Sequence, residues 1–332
     1  MNERGIAFMR LNFQSSYNFE ILSFLNILTS DDFYVHYNKD SYDKFYPLLS
    51  SSAKEKINLL VTGMQRTNIA FLFNLLLANI PEHDNNSVAD SYAKNDIVDE
   101  IVSYMKQLPY IPSDVFLSIE VFLNACVGIV SELETLGFNE YWRLQIKPSV
   151  ELKCKEYQDF IGAYDFGNLF TQYKPLPSDE MQIYICRFHR PHGTKLSLSG
   201  NAMILSDNFS KESLLMLVTH EMFHSPYDSM KASESLKILS GKPWVMEAFN
   251  NQNENCRYAQ MDYFIEENIV EALGVYIAYS LGIEKKPYEY FKEHDYGSHV
   301  ISPMFFRYML EHPKSHEEAF EKYLYDFSCE LE

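Results

Sequence analysis

Apolar and polar positions divide the chain into two kinds of pattern. Up to about residue 175, apolar side chains recur every three or four positions, the spacing of one helix face. Ile57 to Ile80 and Val98 to Met105 follow it. Val115 to Leu136 does so through Phe116, Ile119, Phe122, Leu123, Cys126 and Ile129. Pro81 to Lys94 is polar and reads as a loop, and the aromatic stripes of this half read as core. Near residue 175 the pattern changes. Lys174-Pro-Leu-Pro-Ser178 has the composition of a linker. Gln182 to Phe188 and Gly200 to Leu205 are short apolar runs that predict strands, with a turn over His189 to Gly193 between them. Asn208 or Ser210 is placed to cap a helix that starts near Lys211 and runs through Leu214, Leu215, Leu217 and Val218 to His224. A further helix is predicted from about Asp262 to Leu281, with more helix to the C-terminus. The expected fold is α+β, mainly α: a helical domain over 1–175, then a domain with a small sheet over 176–332.

Composition removes several function classes. At 332 residues and 46% hydrophobic, the chain has enough apolar material for a substantial core. Its net charge of −18 argues against nucleic-acid binding, which needs clustered Lys and Arg, and against docking on anionic lipid. The five cysteines are scattered and form no CxxC pair, which argues against a disulfide scaffold or a cysteine zinc cluster. Met1 to Phe13 has no apolar core of a secretion signal. The longest uncharged apolar-rich run, Thr67 to Pro81, is shorter than the roughly 20 residues of a spanning helix. The expectation is a cytoplasmic protein with reduced cysteines and no membrane partner.

One motif carries chemistry. His220-Glu-Met-Phe-His224 is an HExxH sequence. Histidines at i and i+4 of a helix lie one above the other, so both imidazoles can reach one zinc ion, and Glu221 lies beside the open position. A catalytic zinc takes three protein ligands and a water, so a third ligand is needed. Glu266-Glu-Asn-Ile-Val-Glu-Ala-Leu-Gly274 places Glu267, Glu271 and Gly274 on one helix face. Acids among Ile269, Val270, Ala272 and Leu273 would be partly buried and would need partners. Gly274 would let another helix approach. Glu266 reads as a solvated acid at the helix start. His189 and His192 are ligand candidates only if Glu267 and Glu271 both fail.

HExxH followed by a glutamate on a later helix resembles the gluzincin metallopeptidases, of which thermolysin is the best-known member. The resemblance spans roughly residues 180–305 and implies a zincin-like catalytic domain that holds Zn2+ and hydrolyses peptide or protein substrates. In the thermolysin-like register Glu267 is the third zinc ligand and Glu271 supports a ligand histidine. In the register of the membrane-alanyl-aminopeptidase group, Glu271-Ala-Leu-Gly-Val-Tyr276 makes Glu271 the ligand instead. Gly297-Ser-His-Val-Ile-Ser302 is similar to the segment carrying the oxyanion-stabilising histidine, which implies that role for His299, with Tyr296 as a further donor. Asn201-Ala202-Met203 is similar to the stretch of edge strand that pairs with substrate backbone, which implies substrate binding by Asn201 and Ala202. The implied activity is that of a zinc endopeptidase with Glu221 as general base. The alternatives are a zinc aminopeptidase and a metal-binding interaction protein without turnover. The family's secretion and calcium binding are not carried over to this chain.

Overall fold

The computed structural model of the chain describes residues 10–67, 88, 99–103, 106, 119–175, 180–190, 193–196, 202–253, 258 and 260–331. Residues 68–80 of the first helical reading, the 81–94 loop apart from the helical Val88, residues 115–118, linker positions 176–178, His192 and Asn201 lie outside these, whereas 99–103 are helical as expected. The fold is mainly helical, with a small four-stranded mixed sheet. Among the described residues no single helix is long and apolar enough to cross a membrane.

Contacts gather the chain into two compact units that do not follow a division at residue 175. One comprises Arg10–Asp159 with Glu180–Phe209; the other includes Phe160–Asp179 and Ser210–Glu332. The reason lies in the sheet. Strand β1 (Arg10–Gln14) pairs in parallel with β2 (Glu180–Cys186), about 170 residues later, and so draws the sheet into the N-terminal unit. The sheet order is β1, β2, β4 (Ala202–Ser206), β3 (Gly193–Leu196), with β2 and β4 parallel and β3 antiparallel to β4. The patterning found β2 and β4 and missed both edges. β3 is only four residues long, and β1 has its partner far away in sequence, where no local signal announces it.

In this first unit, helix α1 (Tyr17–Leu28) starts at Ser16, whose hydroxyl accepts from Phe19 N at 3.3 Å. It is buried nearly all round. Phe24 lies 4.8 Å from Phe138 and 4.9 Å from Phe188 between ring centroids, a core that uses the aromatic excess. Glu20 of α1 is fully buried, its carboxylate accepting the backbone N–H of Arg187 and of Phe188, both at 2.9 Å. Asp207, buried at the end of β4, binds Arg187 Nε at 3.0 Å and Arg190 through two nitrogens. Helices α2 (Asp32–Phe45), α3 (Ser51–Thr67), α4 (Ile119–Thr135), α5 (Phe138–Tyr141) and α6 (Lys147–Ile161) also belong to this unit, α6 running to its boundary at Asp159 and two residues beyond.

The second unit is helical. It begins with α7 (Gly167–Thr171) and the motif helix α8 (Lys211–Phe223). After α9 (Ser233–Ser240) and α10 (Pro243–Asn250) comes α11 (Met261–Ser280), the long central helix. Then follow α12 (Pro287–Glu293), α13 (Ser302–Glu311) and α14 (Phe320–Glu330). Helix α11 buries Phe264, Ile265, Ile269, Val270, Leu273 and Ile277. Its face toward α8 is opened by Gly274: a Cβ there would meet Met216 O at 2.9 Å and His220 N at 3.4 Å. This close approach brings the acids of α11 to the histidines of α8.

Candidate metal centre

Helix α8 starts at Ser210, whose hydroxyl accepts from Ser213 N at 3.0 Å, which settles the choice between Ser210 and Asn208 as cap. It stops at its second histidine. Phe223 is its last residue, His224 takes extended ψ 139°, and Ser225 turns left-handed at φ 56°. His220 therefore projects from a helical backbone and His224 from the helix's end.

Both imidazoles are arranged alike. His220 Nδ1 donates to Glu271 Oε2 at 2.8 Å, and its Nε2 lies 3.4 Å from Glu267 Oε2. His224 Nδ1 lies 3.4 Å from Glu266 Oε1, and its Nε2 lies 3.8 Å from Glu267 Oε1. Each ring thus turns Nδ1 to an outer carboxylate and Nε2 to Glu267. Ligand atoms of His220, His224 and Glu267 all lie within 4.8 Å of one another, a donor set that could hold a metal ion. Glu221 Oε2 is 3.8 Å from His224 Nε2, on the rim of the same group. Glu266 is not a solvated helix end. It also accepts Ser225 N–H at 2.8 Å and so fixes the turn after the motif.

Electrostatics follow from this packing. Burial disfavours the charged form of every group here, and the hydrogen bonds outweigh it. His220 is raised well above the ordinary imidazole value, against burial, by its hydrogen bonds to Glu267 and Glu271. His224 is raised by Glu266 and Glu221 against its burial. Glu266, Glu267 and Glu271 are lowered, against their burial, chiefly by the facing histidines. Glu271 is held low by the His220 contact, and the 2.8 Å approach of its Oε2 to Nδ1 favours, in a neutral imidazole, the tautomer with its proton on Nδ1.

His299 is buried, 3% exposed, and not a surface histidine. Its Nε2 lies 3.4 Å from Tyr258 Oη, and its ring centroid is 6.2 Å from that of His294. His294 Nε2 lies 3.9 Å from Glu271 Oε1, so the supporting carboxylate has a second basic neighbour. The His299 segment follows a turn at Gly297, whose φ of 70° and 3.1 Å clearance to Lys292 O favour glycine. Tyr296 is 67% exposed. Ala202 is not on an edge strand: it pairs with Gln182 of β2 and with Leu196 of β3, so both its ladder sides are taken.

No family model matches the chain, and neither a curated protein nor a solved structure does.

Two residues that shape the centre carried no signal of their own in the sequence. Asn268, fully buried beside Glu267, accepts the N–H of Ile301 at 2.8 Å and of Ser302 at 3.3 Å. Ser302 Oγ donates back to Asn268 O at 2.7 Å. Asn268 thus ties the start of α13, two residues after His299, to the helix that carries Glu267. The second is Lys174, placed in a linker by composition. Its ammonium donates to Met222 O at 3.1 Å and His224 O at 2.5 Å, the carbonyls that end α8. A lysine some fifty residues upstream of a helix end offers no periodic signature, although a cation at a helix C-terminus is a known complement to its dipole.

Proposed function

We propose that this protein is a zinc-dependent peptidase of gluzincin type, with His220, His224 and Glu267 as the metal ligands. The observation that carries this reading is the shared orientation of the two imidazoles, each with Nδ1 on an outer carboxylate and Nε2 on Glu267. A tetrahedral zinc with bonds of about 2.0–2.2 Å holds its donors about 3.3 Å apart. The 3.4 Å between His220 Nε2 and Glu267 Oε2 is near that spacing, and the 3.8 Å between His224 Nε2 and Glu267 Oε1 is wider. Two histidines and a carboxylate are also a donor set that suits zinc in a catalytic site, where a fourth position stays open. A zincin-like fold is part of this proposal.

Zinc, when bound, lowers the pKa of a water and polarises the scissile carbonyl. The chain's own residues do the rest. Glu221, beside His224 and outside the ligand set, accepts the water's proton and passes it to the leaving amine. Glu271 and Glu266 hold the two imidazoles with their Nε2 atoms inward. His299 donates to the oxygen that gains charge as the carbonyl is attacked.

Cleavage within a chain is favoured over removal of single N-terminal residues. An aminopeptidase must place a carboxylate on a desolvated α-ammonium group. Glu266 is engaged by Ser225 N–H and His224, Glu271 by His220, and Asp207 by Arg187 and Arg190. A cytoplasmic setting and a peptide or protein substrate belong to the same proposal. The decisive experiment measures metal content and cleavage of a quenched peptide together. Glu221→Gln is expected to keep zinc and lose hydrolysis, whereas His220→Ala loses both. Zinc loss in Glu221→Gln as large as in His220→Ala would overturn the assignment.

A further inference from the structure

The metal ligand His224 stands where helix geometry has already ended, so something other than the helix must hold it. A histidine inside a helix inherits its direction from the i→i−4 ladder. Here the ladder closes at Phe223, and the last carbonyls would be orphans. The segment 166–174 supplies what the helix lacks. Phe170 of α7, fully buried, stacks on Phe223 with centroids 4.2 Å apart and planes 20° from parallel. Tyr173 is wedged against Tyr276 of α11 and Tyr323 of α14, at 5.6 and 6.1 Å. These contacts deliver the Lys174 ammonium to Met222 O and to His224 O. On the other side Glu266 takes Ser225 N–H at 2.8 Å. The peptide group joining His224 to Ser225 is thus gripped at its oxygen by Lys174 and at its nitrogen by Glu266.

We infer that Lys174 is a positioning residue for the metal centre, holding the end of α8 so that His224 presents Nε2 to Glu267. The inference rests on the metal-site reading above. It assigns to the segment before residue 175 a part in building the site. Lysine suits the task because an ammonium has three donors and can serve two carbonyls from one nitrogen. A side chain that is apolar or too short to bridge both carbonyls would leave that of His224 without its charged donor and free the φ/ψ angles that aim its ring. A supporting residue of this kind typically contributes 10–100-fold in metal affinity.

The test uses the full chain and zinc itself as probe. Zinc affinity is measured by competition with a chromophoric chelator for the wild type, His220→Ala, Lys174→Gln, Lys174→Met and Lys174→Arg. Melting of each metal-free protein is followed in parallel, and visible spectra are recorded with cobalt in place of zinc. The expected result is about 10–100-fold weaker zinc binding in Lys174→Gln and Lys174→Met, altered cobalt bands, and recovery of both in Lys174→Arg. Wild-type affinity and spectrum in the neutral variants, with only a lower melting temperature, would make Lys174 a fold contact and overturn the proposal. Failure of both neutral variants to fold without metal would overturn it in the same way. If the wild type binds zinc no better than His220→Ala, the metal-site reading itself falls, a result separate from either of these.

Discussion

At the scale of single residues, the two inner acids of α11 divide their work by one turn of helix. Glu267 faces the Nε2 atoms of both histidines, whereas Glu271 sits on His220 Nδ1. Removing a ligand should therefore cost more metal affinity than removing its support. Glu267→Gln is expected to weaken zinc binding more than Glu271→Gln, by at least tenfold on titration; the reverse order would make Glu271 the ligand and restore the aminopeptidase-like register. A different acid reports on pH. Burial pushes Glu20 up to about 7 from 4.5, despite two backbone N–H bonds that favour its carboxylate. Between those values the folded state holds a proton that the unfolded chain has lost, so stability falls as pH rises. The contribution is complete below about 4.5 and gone above about 7. The urea midpoint of the wild type relative to that of Glu20→Gln should fall across that window and be level on either side of it. A gap independent of pH would mean that Glu20 is ionised throughout.

At the scale of elements, the centre depends on how closely α8 and α11 approach. Gly274 is the contact point, with Met216 O where a Cβ would be. The obstacle is backbone carbonyl, which cannot rotate aside as a side chain could. Gly274→Ala is expected to destabilise the fold by about 1–3 kcal/mol, as overpacking of a close helix contact does. It should also weaken zinc binding by pushing Glu267 and Glu271 away from His220. Denaturant melts and metal titration of this variant would check both effects; an unchanged midpoint would show that the helices slide past the added methyl. Helix α13 is set from the same source. Asn268 accepts the N–H of its cap residue Ile301 and of its first residue Ser302, and so places His299 by way of the chain that leads into it.

At the scale of the whole molecule, charge and the engagement of acids bear on what can be cleaved. The chain carries −18, yet Glu266, Glu267 and Glu271, the acids of α11 that face the histidines, are each held by an imidazole, Glu266 by a backbone N–H as well. A peptide with an acetylated N-terminus should therefore be cut as well as its free counterpart, and within the chain, as mass spectrometry of the products would show. Loss of cleavage on acetylation, with residues released one at a time from the free peptide, would identify an aminopeptidase.

What was legible in the sequence alone was whatever repeats over a few residues. The start of the motif helix near a cap at Asn208 or Ser210, the helix over Met261–Ser280 and the two central strands all follow from local periodicity and capping chemistry. So did the facing of His220 by acids of a later helix, because spacing decides which side chains share a face; that the motif helix ends at Phe223, so that His224 leaves it, did not. Tertiary structure alone decided the rest. The strand at Arg10–Gln14 is five residues whose partner lies about 170 positions away, and only folding brings them into register. Ala202 was read as edge because one strand cannot reveal how many neighbours it has. Glu266 and Lys174 looked like a helix-start acid and a linker residue. Their roles depend on where α8 ends, and that end is a left-handed Ser225 stabilised by groups from two distant segments. Local sequence sets which faces are apolar and which residues can bind metal. The close packing of separate elements sets which carboxylate meets which nitrogen, since hydrogen-bond partners are chosen over distances of a few ångströms that no spacing along the chain encodes.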